Sequence, residues 1–299
     1  MFVSFGNKLV ALIAVVALLA VVVTGIIIYS SKKTSAPPAV VAMVEKEELP
    51  LTTSHKVIGA SVEGRNIEAY SYGSGKRRVV FMGGIHGGYE WNSVFLAYTF
   101  IDYFETHPEF VPKDVTVYIV PSVNPDAVHK VTGKDGRFTL ADVSKDKTVL
   151  ESARFNANNV DINRNFDCNW KPKSAWRSKE VSAGTAPFSE PESKAVRDFI
   201  LSIAPSAVVF WHSQASAVYA SQCQKVILPE TLTLMNLYAK AAGYSPVTTF
   251  DAYATTGAAD DWLASIGIPA ITVELETHET VEWEQNFTAV EKVLKSYSQ

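Results

Sequence analysis

From residue 55 onward, short β-rich runs alternate with longer stretches of helical periodicity, and that alternation limits the fold more than any other feature of the chain. The strand candidates are Ile67–Tyr72, Val79–Met82, Val115–Val120, Ala207–Trp211 and Ala270–Glu274. Several are continuously apolar, as expected of central strands covered on both faces. The helical patterns are Asn92–Phe104, Glu190–Ile203, Leu232–Ala242, Ala258–Ile266 and Glu282–Ser296. Ser189 followed by Glu192 has the form of a capping box at the start of the second. The alternation predicts an α/β fold: a mixed, largely parallel central sheet flanked by helices. In such folds ligands bind beyond the carboxyl ends of the strands.

Upstream of this body, Leu9–Ile28 is twenty residues without a charge. A helix of that length spans roughly 30 Å, the thickness of a hydrocarbon core. Residues 1–33 are therefore read as an N-terminal membrane anchor, one transmembrane helix that contacts the membrane through residues 9–28. A cleaved signal peptide is the alternative; its apolar region usually runs about 7–15 residues. Lys8 on one side and Lys32 and Lys33 on the other leave the positive-inside rule undecided. Either reading exports the downstream body, so the expectation is an extracytoplasmic catalytic domain. Residues 34–54, with Pro37-Pro38 and the mixed charges of Glu45–Glu48, read as a linker, and 55–299 as one domain.

With 47% hydrophobic residues the chain is neither disordered nor fibrous. The 24 basic and 31 acidic residues of 34–299 leave that part at −7. An acidic body argues against nucleic-acid binding, which needs Lys and Arg to neutralise phosphates. Cys168 and Cys223 either pair in an oxidising compartment or stand as two buried thiols.

Three strand candidates run into residues that bind metals or move protons. Val79–Met82 leads into Gly83-Gly84-Ile85-His86-Gly87-Gly88-Tyr89-Glu90, Ala207–Trp211 into His212-Ser213, and Ala270–Val273 into Glu274-Leu275-Glu276. Two imidazoles and a carboxylate suit zinc and leave a fourth position for water. Taken alone, Glu90 also suits a helix N-terminus and Glu274 a solvated strand end. A second motif, Asn159–Asp167, contains Asn163-Arg164; it is either a polar turn or a grip for an anionic ligand, since a guanidinium holds a carboxylate with two parallel hydrogen bonds. His55, His107 and His129 lack a strand-end context, and His278 stands four residues after Glu274.

GGIHGGYE (83–90), VNPDA (123–127), VDINRNFD (160–167), FWHS (210–213), YATTGAADDW (253–262) and VELE (273–276) stand in an order that resembles the zinc carboxypeptidase family, of carboxypeptidase A and B type. The resemblance covers roughly residues 55–295. It implies one zinc ion per chain, held by His86, Glu90 and His212, with Glu274 as general base. It also implies that Asn163 and Arg164 hold the terminal carboxylate of a peptide substrate, that Arg154 polarises the scissile carbonyl, and that Tyr253 closes over the substrate. Asp260 falls where the family places the base of the side-chain pocket, and an acid there resembles the B-type enzymes, which prefer Lys or Arg. The same acid also suits a helix N-terminus. The family spaces its first two ligands His-x-x-Glu, whereas this chain has His-x-x-x-Glu. The expected function is a zinc metallocarboxypeptidase. The alternatives are a cell-wall peptide amidase of the same family, a deacylase of a related zinc fold, and a membrane-tethered binding module without catalysis.

Overall fold

The computed structural model describes residues 53–298. The apolar segment 9–28 and residues 34–52 of the linker lie outside the described residues. Among the described residues, no helix is long and apolar enough to cross a membrane.

The described residues form ten strands: β1 (Ser54–Ala60), β2 (Asn66–Tyr72), β3 (Arg77–Met82), β4 (Val115–Val120), β5 (Lys173–Trp176), β6 (Lys179–Ser182), β7 (Ala207–Ser213), β8 (Ala217–Ala220), β9 (Ser245–Val247) and β10 (Ala270–Leu275). The helices are α1 (Trp91–Thr106), α2 (Pro125–Thr132), α3 (Lys147–Ser152), α4 (Pro191–Ile203), α5 (Pro229–Ala242), α6 (Ala259–Ser265) and α7 (Trp283–Ser296). Eight strands form one sheet in the order β1-β2-β4-β3-β7-β10-β8-β9, and β5 and β6 form a separate hairpin. The pairs β4–β3, β3–β7, β7–β10 and β8–β9 are parallel, and β1–β2, β2–β4 and β10–β8 antiparallel. The sheet is mixed, as expected.

Successive residues of the central strands alternate between two cores. Val79, Phe81, Val209 and Trp211 face the side covered by α1, α5 and α7, while Val80, Met82, Val208 and Phe210 face α4 and α6. That is why these runs carry no polar alternation: both faces are buried. Trp211 is held between Phe81 and Phe100, with ring centroids 5.2 Å from each. Such large side chains each contribute about 1.5–3 kcal/mol by leaving water.

Two local expectations are corrected. The capping box does not form. Pro191 takes the first helical position and makes Glu190 the N-cap, without a side-chain cap. The Ser189 hydroxyl donates to Glu190 Oε1 instead, and Glu192 accepts from Asn156 and from the Val62 amide. His212 and Ser213 are not beyond strand β7 but are its last two residues, and His212 lies beside Glu274 of β10. Cys168 and Cys223 form a disulfide with Cα atoms 6.0 Å apart, joining the loop after Asn163-Arg164 to the segment following β8.

Candidate active site

At the carboxyl ends of β3, β7 and β10 lies a cavity of about 320 Å³, and every site residue named from the sequence lines it. His86 follows β3, His212 is the penultimate residue of β7 and Glu274 sits in β10. His86 Nδ1 is 2.7 Å from Glu90 Oε1, His212 Nδ1 is 2.9 Å from Glu90 Oε2, and the two Nδ1 atoms are 3.1 Å apart. All three side chains are buried. Among the described residues this is the one group of His, Cys, Asp and Glu able to hold a metal ion. The fit is chemical as well as spatial. Two imidazole nitrogens at 3.1 Å share at most one proton, whereas a cation satisfies both lone pairs and the carboxylate together. Two imidazoles and a carboxylate are also a donor set of catalytic zinc.

The additional residue between His86 and Glu90 is absorbed by a 3-10 turn, Gly87–Glu90, packed on α2. A Cβ at Gly87 would meet Ala127 Cβ at 2.3 Å, and one at Gly88 would meet Val131 Cγ2 at 2.3 Å. The paired glycines thus let the turn sit close enough to α2 for Glu90 to point back at His86. Glu90 stands at the N-cap of α1 but caps nothing; its carboxylate goes to the imidazoles. Burial opposes its ionisation, yet His86 and His212 hold it well below the usual carboxylate range.

Asp161, quoted in the second motif without a role, is the residue that sequence reasoning missed here. It is fully buried. Its Oδ1 lies 3.5 Å from His86 Nε2, and its Oδ2 accepts from Arg154 Nε at 3.0 Å and lies 2.9 Å from Arg154 Nη2. One carboxylate therefore anchors the arginine and lies beside an imidazole nitrogen that makes no hydrogen bond. Burial pushes its carboxyl up, but Arg154 and Arg164 overcome this and hold it well below the ordinary range. The available signal was an acid two residues before Asn163-Arg164, easily taken for turn chemistry, which it also performs: Oδ1 accepts from the Asn163 amide.

Arg154 is buried, lies 4.8 Å from the Trp176 ring centre, and brings Nη1 to 3.8 Å from Glu90. Arg164 is buried too and makes no ion pair among the described residues. Its Nε and Nη2 donate to Ala175 O and its Nη1 to Asn163 O, which leaves two of five N–H donors for a ligand. Asn163 accepts from the Ala259 amide through Oδ1. Tyr253 packs edge-on against Phe250 at the cavity rim. His278, given no role from the sequence, borders the site: it bonds Ser213 Oγ and lies 4.6 Å from the ring of Tyr89.

Glu274 has a buried Oε2 without a hydrogen-bond partner. Burial, and then the charge of Glu90, push its carboxyl up to about 7; a bound cation lowers it from there. Thr272, two residues earlier and so on the same face of β10, donates to Asp260 Oδ2 at 3.1 Å. Asp260 and Asp261 both occupy the first turn of α6 and both line the cavity. Burial, and then the charge of Asp260, push the Asp261 carboxyl up to about 8, although the Gln222 amide donates to it. The unfolded carboxyl titrates near about 3.9. With the folded value the higher, the ionised form is disfavoured in the folded state. This group therefore makes folding stability fall as pH rises from about 4 through about 8. Asp261→Asn is expected to stabilise the chain more at high pH than at low pH. Urea unfolding on either side of that window checks this, and an equal gain on both sides contradicts it.

The sequence profile described as zinc carboxypeptidase matches residues 42–299. Carboxypeptidase B of Astacus astacus is 27% identical over 255 residues, covering 78% of this chain and 82% of that protein. Gamma-D-glutamyl-L-diamino acid endopeptidase 1 of Lysinibacillus sphaericus is 27% identical over 244 residues, covering 73% of this chain but 59% of that protein's length. The crystal structure of a murein-tripeptide amidase from Escherichia coli O157 superposes with a TM-score of 0.56 at 22% identity, over 82% of this chain and 92% of that one. The crystal structure of thrombin activatable fibrinolysis inhibitor superposes with a TM-score of 0.62 at 23% identity, over 82% of this chain and 68% of that one. These two likenesses bear on the fold, and the profile match over most of the chain decides the ancestry: the chain belongs to the zinc carboxypeptidase family.

Proposed function

We propose that this protein is a zinc-dependent carboxypeptidase that hydrolyses the peptide bond next to a free terminal carboxylate and prefers a basic or diamino residue there. The observation that carries this reading is a buried guanidinium, Arg164, without an ion-pair partner among the described residues, in the same cavity as His86, Glu90, His212 and Glu274. A buried charge without a partner is costly, and a substrate carboxylate supplies the partner in planar, bidentate form.

His86, Glu90 and His212 would hold the zinc ion, which when bound would supply a Lewis acid and water of lowered pKa. Arg164 and the side-chain NH2 of Asn163 fix the terminal carboxylate, which restricts cleavage to the last bond. Glu274 Oε2, free of other partners, takes the proton of the attacking water and returns it to the leaving amine. Arg154, anchored on Asp161, faces the charge that develops on the scissile oxygen. Tyr253 at the rim covers the bound residue and limits access of bulk water.

Asp260 supports the basic preference, because a substrate ammonium gives this cavity-lining carboxylate a cationic partner. The relative named for glutamyl-diamino acid bonds and the murein-tripeptide amidase of like fold support a second reading with the same chemistry, release of a diamino acid from a cell-wall peptide. The disulfide supports placement in an oxidising compartment. Hydrolysis of blocked dipeptides ending in Arg, Lys, diaminopimelate, Phe, Leu or Glu, with and without chelator, tests the proposal. Chelator-sensitive release of the basic and diamino residues is expected, and Asp260→Ala should lower kcat/KM for these by about 10- to 100-fold. Faster cleavage of Phe or Leu substrates contradicts the assignment of Asp260.

A further inference from the structure

Three arginines line the cavity, and the chemistry above uses only Arg154 and Arg164. The third, Arg177, occupies the first position of the two-residue turn between β5 and β6, with φ of 56°. This is the left-handed region, where glycine or asparagine is at ease and a long side chain is strained. Strain of this kind gathers where a side chain must be aimed. Here it aims a guanidinium at the cleft: Arg177 Nη2 lies 3.4 Å from the Tyr89 hydroxyl, and its charge centre 5.7 Å from the Trp176 ring. The other cations of the hairpin, Lys173 and Lys179, are paired with Glu180 and Glu151. Among the described residues Arg177 has no carboxylate partner, and it is the hairpin cation that lines the cavity.

The hairpin also gives Arg177 a position along the cleft. Ala175 O holds Arg164, the Trp176 ring lies against Arg154, and Arg177 reaches Tyr89, the neighbour of Glu90. Residues 175 to 177 thus lead from the carboxylate clamp, past the arginine at the scissile carbonyl, towards the acyl side. We infer that Arg177, with the Tyr89 hydroxyl, is a specificity subsite for a carboxylate carried by the residue that contributes the scissile carbonyl; this rests on the carboxypeptidase reading. The cleft then carries opposite charges, an acid at Asp260 and a cation at Arg177. The matching substrate is an acidic residue followed by a basic or diamino one.

The test compares N-acetyl-Glu-Lys with N-acetyl-Gln-Lys, which differ in one charge, on the zinc-loaded full-length chain. Wild type should favour the Glu peptide by about three- to tenfold in kcat/KM, mainly through KM, and less at high salt. Arg177→Gln should abolish that preference while leaving the Gln peptide within about twofold, and Arg177→Lys should keep part of it. Equal losses on both peptides, or an indifferent wild type, overturn the subsite. Calorimetric binding of both peptides to the Glu274→Gln variant separates the two claims. If no peptide is cut but the Glu peptide binds more tightly and Arg177→Gln removes the difference, the subsite stands and the peptidase reading falls. If neither cleavage nor binding distinguishes the peptides, the subsite falls.

Discussion

Glu274→Gln is expected to lower kcat by about 10²- to 10⁴-fold while KM changes by less than about threefold. The substitution keeps the shape of the side chain and removes its proton acceptor. Glu274 belongs to neither the His86, Glu90, His212 cluster nor the Arg164 clamp, so zinc content and substrate binding should survive. Stability should not fall either, because burial already disfavours the ionised form of this group. Zinc content measured beside steady-state kinetics checks the expectation. A variant with full zinc content and kcat within about tenfold of wild type would place the proton transfer elsewhere. A binding module without catalysis has no use for a buried, unpartnered carboxylate oxygen at this position.

The second large effect concerns Asp161. In Asp161→Ala, Arg154 loses both N–H contacts to carboxylate in a fully buried position, and His86 loses the acid beside its Nε2. Breaking a buried ion pair from one side destabilises by about 3–5 kcal/mol. Removing the carboxylate beside the imidazole of a candidate metal ligand is expected to lower metal affinity by about 10- to 100-fold. Urea unfolding and competitive zinc titration should show both losses together. The sign with pH comes from a carboxyl held below its ordinary range. Its stabilisation is present above about pH 4 and declines as pH falls. Asp161→Ala should therefore flatten the acid limb of the stability profile. Wild-type stability and zinc affinity in this variant would show that the carboxylate holds neither neighbour in place.

The central strands were legible because burial writes itself into sequence, and their ends pointed to the place where His86, Glu90 and His212 meet. Val79–Met82 and Ala207–Trp211 are apolar throughout, since each residue meets one core or the other. Strand β1 was not legible: Ser54–Ala60 is a sheet edge, largely exposed, with no apolar pattern. The β5–β6 hairpin was missed for the same reason, and with it Trp176 and Arg177, because four-residue polar strands have too few buried positions to show a period. Helix α2 carried plain signals: Asn124 caps Ala127, Pro125 opens the helix, and Gly133 ends it in the left-handed region. Its eight residues are too short for an apolar stripe to draw attention. The spacing from His86 to Glu90 looked like a departure in one dimension. In three it is resolved by glycines whose partners, Ala127 and Val131, lie far downstream in that same helix.

The most direct measurement is a titration of zinc into metal-free protein, following bound zinc and hydrolysis of a blocked dipeptide ending in Lys beside its C-terminal amide. Hydrolysis of the free acid should rise in proportion to zinc and stop rising at one ion per chain, while the amide is not cut. Hydrolysis without zinc, or equal cleavage of acid and amide, would contradict the zinc carboxypeptidase reading.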